Sequence, residues 1–173
     1  NLFNLDVIRH VVFEQAQFFS LPGYYNPQLL HAEDGCVYDD EDIEEFENII
    51  QLSDSNIPSV IVSHGPPQGY HPQAIDYVPE VGNVGDRQIN TLITKFQFPF
   101  GIFAHISEAG GKATDLNGLI MYEENKDLSS FYLNAGSIQP FPMLLNDGST
   151  STGLAAVVSF TKKKTAQFVF KRF

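Results

Sequence analysis

Apolar positions in this chain come in short blocks, and their spacing changes along the length. Val11-Val12-Phe13 and Phe18-Phe19 with Leu21 predict one or two short strands over 11–21, followed by the turn-rich Pro22-Gly23-Tyr24-Tyr25-Asn26-Pro27. From Asp40 to about Leu52 the period becomes helical. Ile43, Phe46, Ile49 and Ile50 form one stripe, Asp39 or Asp40 can cap the start, and acids fill the first turn against the helix dipole. Ile57-Pro58 ends the connection, and Ser59-Val60-Ile61-Val62-Ser63 is β-branched, uncharged and bounded by breakers, as a buried strand should be.

The stretch from His64 to Gly85 holds four prolines and four glycines and predicts a long functional loop without regular structure. Asp86 caps a second helix through about Lys95, with Ile89, Leu92, Ile93 and Phe96 on one face, and Phe100–Ala104 is the next strand. Strand, helix, strand describes a βαβ unit with parallel strands. After His105 the texture changes. Gly110-Gly111 marks a tight loop, and short strands recur near 117–122, 130–134, 154–160 and 165–171 with no helical pattern between them. This predicts an antiparallel tail, with Lys162-Lys163-Lys164 at an exposed hairpin tip. The fold class expected is α/β, a βαβ unit followed by an antiparallel β tail. No internal repeat is present.

Composition sets bounds on this picture. At 173 residues and 43% apolar, the chain is long enough for one domain with a core. Its net charge of −11 disfavours binding to a nucleic-acid backbone or an anionic membrane surface. Nine of the 21 acids lie between Glu33 and Glu47, at spacings that fit no calcium loop and suit a solvated helix face. The single cysteine, Cys36, excludes an internal disulfide and reads as a packed or idle thiol. The uncharged run from Leu128 to Asn146 is broken by Asn134, Gly136, Pro140 and Pro142, so it is no membrane span, and the start lacks a signal-peptide pattern. A cytoplasmic location is expected. The first residue is not Met and the opening reads as mid-protein, which predicts a segment of a longer chain.

Two motifs carry chemistry. Ser63-His64-Gly65-Pro66-Pro67 ends one buried strand, and Ala104-His105-Ile106-Ser107-Glu108 ends another. Each His stands where a strand hands over to a loop, the position at which α/β proteins collect ligands. Imidazole is the commonest protein ligand for transition metals. The prolines stiffen the backbone past His64, and Gly110-Gly111 allows close backbone approach beyond His105. Either His alone reads first as a core residue. The two together, in this order and on neighbouring strands, are stronger evidence for a ligand site, and two ligands alone do not hold a metal.

These motifs, with Asn134-Ala135-Gly136-Ser137, give the stretch from Val60 to Ser137 a pattern that resembles the C-terminal half of calcineurin-like metallophosphoesterases. That family places Ser/Thr-His, often with Pro-Pro, after one strand, Gly-His-x-His after a later one, and Asn-x-Gly-Ser after that. The resemblance implies a partial metallophosphoesterase-like α/β sandwich over 1–173, with lead-in strands and the acidic helix over 1–58, the βαβ unit over 59–107 and a β-rich tail over 108–173. It implies a metal-dependent hydrolase of phosphomonoesters or phosphodiesters, with one or two divalent ions (Mn, Fe, Zn or Ni) that polarise the phosphoryl group. His64 and His105 are the implied metal ligands. Ser107, Glu108, Asn83, Asp86, Asn134 and Ser137 are the implied substrate-facing or supporting groups.

The chain departs from the family pattern in two places. Ser107 stands where the second His of Gly-His-x-His belongs, and a hydroxyl replaces imidazole poorly toward a transition metal. The family's Asp-x-His, Gly-Asp-x-x-Asp and Gly-Asn-His stretches, with its general-acid His, are absent, so no catalytic acid is assigned. Water or Glu108 would fill the gap at Ser107, or the site holds one ion. His71, Asp76, Asn83 and Asp86 lie in the loop that would overhang the metals, and each reads first as a loop residue. The implied partners are a phosphate-ester substrate and an N-terminal half or a second copy. The alternative is a non-catalytic relative kept as a binding scaffold. A hydrolase built on Cys36 or a Ser nucleophile ranks last, because no Gly-x-Ser-x-Gly elbow is present.

Overall fold

The computed structural model describes residues 3–29, 35–139 and 141–173, so His31, Glu33 and Asp34 lie outside the described residues. In chain order the strands are β1 (His10–Val12), β2 (Gln17–Leu21), β3 (Ser59–Ser63), β4 (Tyr77–Val78), β5 (Gly82–Asn83), β6 (Phe100–Phe103), β7 (Lys112–Thr114), β8 (Phe131–Asn134), β9 (Met143–Leu144), β10 (Thr150–Ser151), β11 (Leu154–Phe160) and β12 (Ala166–Arg172). Helix α1 (Asp40–Gln51) joins β2 to β3, and α2 (Arg87–Phe96) lies between β5 and β6.

Six strands form one sheet in the order β1-β2-β3-β6-β8-β7. The four central strands are parallel, and β1 and β7 are antiparallel edges. The fold is thus mixed α/β with a mostly parallel central sheet, and it holds two βαβ units, β2-α1-β3 and β3-α2-β6. Strand alternation sorts the core into two layers. Phe19, Leu21, Ile61, Phe103 and Tyr132 face one side, where Phe46 and Ile50 of α1 and Ile89, Leu92 and Ile93 of α2 cover them. Val60, Phe100, Phe131 and Leu133 face the other, against Ala166 and Phe168 of the β11–β12 hairpin. Strands covered on both faces need apolar residues at successive positions, which is why they read as continuous runs rather than alternating ones.

The helix starts follow the capping signals. Asp39 accepts from the amides of Glu41 and Asp42 while the Asp42 carboxylate accepts from the Asp39 amide, a reciprocal capping box. Asp86 caps α2 by accepting from the Gln88 amide at 2.8 Å. The acidic positions Asp40, Glu41, Glu44 and Glu45 are exposed while Phe46 and Ile50 are buried, the solvated face expected of that run.

Two expectations for the tail need correction. Phe131–Asn134 does not belong to an antiparallel tail: it pairs parallel with β6 and extends the central sheet. No strand forms over 117–122. The Asp115 carboxylate accepts from the amides of both Leu119 and Ile120 at 2.7 Å, closing a turn that leaves only an isolated bridge between Thr114 and Met121. Strand β7 takes that edge instead. The β11–β12 hairpin is antiparallel as expected, and Thr161 and Thr165 pair across its lysine tip. The 64–85 loop is not wholly irregular, since β4 and β5 make a short ladder within it. Among the described residues, no helix is long and apolar enough to cross a membrane.

Candidate metal centre

Strands β3 and β6 are parallel neighbours, with Val62 opposite Ile102, so both release their chains at one edge of the sheet. The Ser63 hydroxyl donates to the Leu21 carbonyl at 2.7 Å and ties the end of β3 to β2. His64 then carries the ladder one step further, its carbonyl accepting from the Ala104 amide at 3.2 Å. Beyond it, Pro66 and Pro67 are buried, and the Pro66 carbonyl accepts from the Asp86 amide at 2.8 Å. The backbone that presents His64 is fixed on both sides.

His105 is held differently. Its φ of 65° lies in the left-handed region, and the Ile106 amide donates across it to the Ala104 carbonyl at 2.8 Å. That i to i+2 bond with positive φ is a γ-turn of the strained kind, which costs on the order of 1–3 kcal/mol and persists only when its surroundings over-determine it. Asn134, fully buried, supplies part of that support. Its Nδ2 donates to the carbonyls of Ile106 at 2.8 Å and Ile75 at 3.1 Å, and its Oδ1 accepts from the Gly136 amide at 2.9 Å.

The result is a close pair of imidazoles. His105 Nδ1 lies 2.8 Å from His64 Nε2, with ring centroids 4.6 Å apart. Tyr24 packs against the pair, its ring centroid 5.1 Å from that of His105. Its hydroxyl donates to the Val84 carbonyl at 2.7 Å, and its ring fills the space where a Cβ on Gly65 would stand, 2.3 Å from Tyr24 Cε2. Burial first, and then the negative charges of Asp86 and Asp76, push the Tyr24 phenol above the ordinary tyrosine range, so it stays a neutral donor.

His64, His105, Ser107, Glu108 and Ser137 all line one cleft of about 1230 Å³ at this edge of the sheet. Glu108 Oε1 accepts from Asn146 Nδ2 at 2.9 Å, linking the cleft wall to the segment that follows β9. The other candidates stand elsewhere. Asp86 is buried, accepting at its carboxylate from the Tyr25 amide and the Tyr38 hydroxyl besides capping α2, and it does not line the cleft. Asn83 donates to the His71 carbonyl and to Asp76 Oδ1 and is likewise outside the lining. Asn134 supports the wall from behind.

Two residues matter more than their sequence context indicates. Tyr24 sits in what reads as a plain turn, and its contact with Gly65 joins positions too far apart in the chain for any local signal. Asp76 is fully buried and accepts from the amides of Gly69 at 3.0 Å and Gly85 at 2.8 Å and from Asn83 Nδ2 at 2.8 Å, organising the overhanging loop. Cys36 also lines the cleft, with its Sγ 3.7 Å from the Pro22 carbonyl.

Two imidazoles suit a transition metal in softness. Two nitrogens sharing one tetrahedral ion at roughly 2.0–2.1 Å stand roughly 3.3 Å apart, wider than the 2.8 Å of this pair, which is the distance of an N–H···N hydrogen bond between the rings. Among the described residues, no group of three or more His, Cys, Asp and Glu side chains is gathered to hold an ion.

No family model and no curated protein matches the chain. Among solved structures, the chain is similar in fold to one crystal structure at a TM-score of 0.52 and 18% identity, over 73% of this chain. The match spans 43% of that longer chain, and at this identity it speaks to the mixed α/β fold alone.

Proposed function

We propose that the chain forms part of a metal-dependent phosphoesterase of the metallophosphoesterase type, in which His64 and His105 hold a divalent ion. The observation that carries this reading is the 2.8 Å approach of His64 Nε2 and His105 Nδ1 at the carboxyl edge of parallel strands, facing a cleft. The motif order Ser-His-Gly-Pro-Pro, Ala-His-Ile-Ser, Asn-Ala-Gly-Ser supports it. An ion held there supplies Lewis-acid polarisation of a phosphoryl oxygen. The chain's own residues orient and confine. The Ser63 hydroxyl and Pro66-Pro67 fix His64, while Asn134 and Tyr24 fix His105. Ser107 brings a neutral hydroxyl to the lining where an imidazole would have added a ligand, which suits one ion better than two at this wall.

The test is hydrolysis of bis(p-nitrophenyl) phosphate and p-nitrophenyl phosphate by the protein with Mn²⁺ supplied. Replacing a supporting residue at a metal site typically costs about 10- to 100-fold, so His105→Ala, which removes a ligand, should lose more than about 100-fold. Absence of Mn²⁺-dependent turnover of both esters would sink the reading.

A second reading, a non-catalytic binding protein on the same frame, has one observation in its favour. No third donor stands with the pair among the described residues. It requires that the wild type bind no stoichiometric metal, and that His64→Ala and His105→Ala alter stability alone.

A further inference from the structure

We propose that the open edge of β11 is a docking surface for an extended, acidic β-strand of a partner chain. The proposal stands apart from the phosphoesterase reading and needs no ion. Three observations carry it.

The first is the backbone. The Thr161 amide donates to the Thr165 carbonyl and the Phe173 amide to the Gly153 carbonyl, so the odd-numbered residues of β11 bond to β12. The N–H and C=O groups of Ala156, Val158 and Phe160 therefore point away from β12. Leu154 keeps the same parity: its amide donates to the Ser137 carbonyl at 2.8 Å, at the start of that edge. Beyond it, no backbone hydrogen bond reaches Ala156, Val158 or Phe160 from this side among the described residues. The outer edge of β12 is covered instead, with Ala166 exchanging two hydrogen bonds with Leu128 and the Phe168 carbonyl accepting from Asn125. One edge of the hairpin is closed and the other is open to pairing.

The second is the apolar floor beside that edge. Phe168 of β12 packs on Phe131 of β8, and Phe160 of β11 packs on Phe100 of β6 and Phe18 of β2. With β2, β3, β6 and β8 in that order in the sheet, the open edge of β11 points toward β2. Phe18, Val62, Ile102, Ala156, Val158 and Phe160 are only partly buried, whereas Phe100, Phe131 and Phe168 are buried. A further strand on β11 would cover this floor and pair the edge groups together. A helix or a lipid surface would leave the edge groups without partners.

The third is charge. From Leu154 to Phe173 the chain has no Asp or Glu, yet it carries five of its ten Lys and Arg: Lys162, Lys163, Lys164, Lys171 and Arg172. On a chain of net −11 the hairpin is a basic island, and of these five only Lys162 has an acid within ion-pair reach among the described residues, Glu14 at 3.7 Å. Charge complementarity selects an acidic strand. It disfavours a second copy, whose hairpin would bring the same five positive charges alongside.

The experiment titrates the protein into three fluorescein-labelled peptides and reads fluorescence polarisation at low ionic strength. The first is Glu-Val-Thr-Val-Glu-Val-Thr-Val-Glu, the second has Lys for each Glu, and the third is the acidic peptide N-methylated on its valines. In an antiparallel pair, residues that face the same side stand opposite each other, so valines set on the apolar floor turn their amides to β11. The acidic peptide should bind, with the basic one about tenfold weaker. N-methylation should weaken binding about tenfold or more, because it removes donors and leaves edge carbonyls unpaired. Ala156→Pro, which deletes an edge amide and spares the β12 ladder, should weaken it likewise. Amide exchange followed by NMR should slow at Ala156, Val158 and Phe160 on binding, while Val157 and Ser159, already paired with β12, stay unchanged. Equal binding of the methylated peptide, a preference for the basic one, or no binding overturns the inference. So does a dimer of the protein alone in which those three amides are already protected, since the edge would then belong to a second copy. None of these outcomes bears on the hydrolytic reading, which its own assay decides.

Discussion

Replacing Asp76 by alanine removes the acceptor on which the loop over the cleft is built. The carboxylate is fully buried and takes three donors: the Gly69 amide, the Gly85 amide and Asn83 Nδ2, at 3.0, 2.8 and 2.8 Å. Each donor left without a partner in the interior costs about 1–3 kcal/mol, and water entering the vacated space recovers part of that. A net loss of about 3–5 kcal/mol is expected from three neutral donors left short of their acceptor, after the part that water recovers. The assay is equilibrium urea denaturation followed by far-UV circular dichroism. With a slope near 2 kcal/mol/M, the midpoint should fall by about 1.5–2.5 M. Asp76→Asn should also destabilise the protein, because an amide that turns its NH₂ toward these amides sets donor against donor. Hydrogen exchange should show lost protection at Gly69 and Gly85 before the central strands exchange. A midpoint shift below about 0.5 M for Asp76→Ala, at an unchanged slope, would refute the reasoning.

Further expectations concern the ring packing and alkaline stability. Gly65→Ala places a methyl 2.3 Å from the Tyr24 ring and should destabilise by about 1–3 kcal/mol, while displacing the ring from His105 and lowering Mn²⁺-dependent turnover. Tyr24→Phe keeps the ring and should retain more of the activity than Gly65→Ala; the reverse order would contradict the assignment of the ring as the element that positions His105. Burial pushes the Tyr132 phenol up to about 12 in the folded protein, from about 10 when unfolded. The folded state then holds the proton more tightly, so its stabilising effect is complete below pH 10 and is lost as the pH rises from about 10 to 12, at about 1.4 kcal/mol per pH unit. Tyr24 and Tyr38 are shifted in the same direction, and Asp86 deepens the effect in both. Alkaline titration at 295 nm should show these phenols ionising together with loss of near-UV dichroism, whereas ionisation ahead of unfolding would contradict the burial.

The parts of the fold legible in sequence are those that local pattern determines. The stripe of Ile43, Phe46, Ile49 and Ile50, the Asp39 and Asp86 caps, and the run from Val60 to Val62 all became the elements their spacing predicts. The placement of β8 was not legible. A parallel neighbour ordinarily needs a crossover helix, and the segment from Ala104 to Ser130 shows no helical period. The chain crosses instead through a 3-10 turn, β7 and irregular backbone. The parallel pairing of β2 with β3 was obscured in the same way by the turn-rich stretch before α1. In the site, the two His motifs announce strand ends in sequence, and the sheet brings those ends together. The Tyr24 contacts with Gly65 and His105, and the burial of Asp76 among three donors, depend on long-range packing that leaves no periodicity. Asn83 and Asp86 carry polar groups suited to a site, yet their hydrogen-bonding capacity is used in holding the loop and in capping α2.

The central claim is that His64 and His105 jointly hold a divalent ion. Equilibrium dialysis of the protein against Mn²⁺ or Zn²⁺, followed by elemental analysis, tests it most directly when wild type, His64→Ala and His105→Ala are run side by side. The account predicts stoichiometric metal on the wild type and loss from both variants, with circular dichroism of each variant unchanged. Wild-type protein that retains no metal, or either variant that retains the full amount, would contradict it.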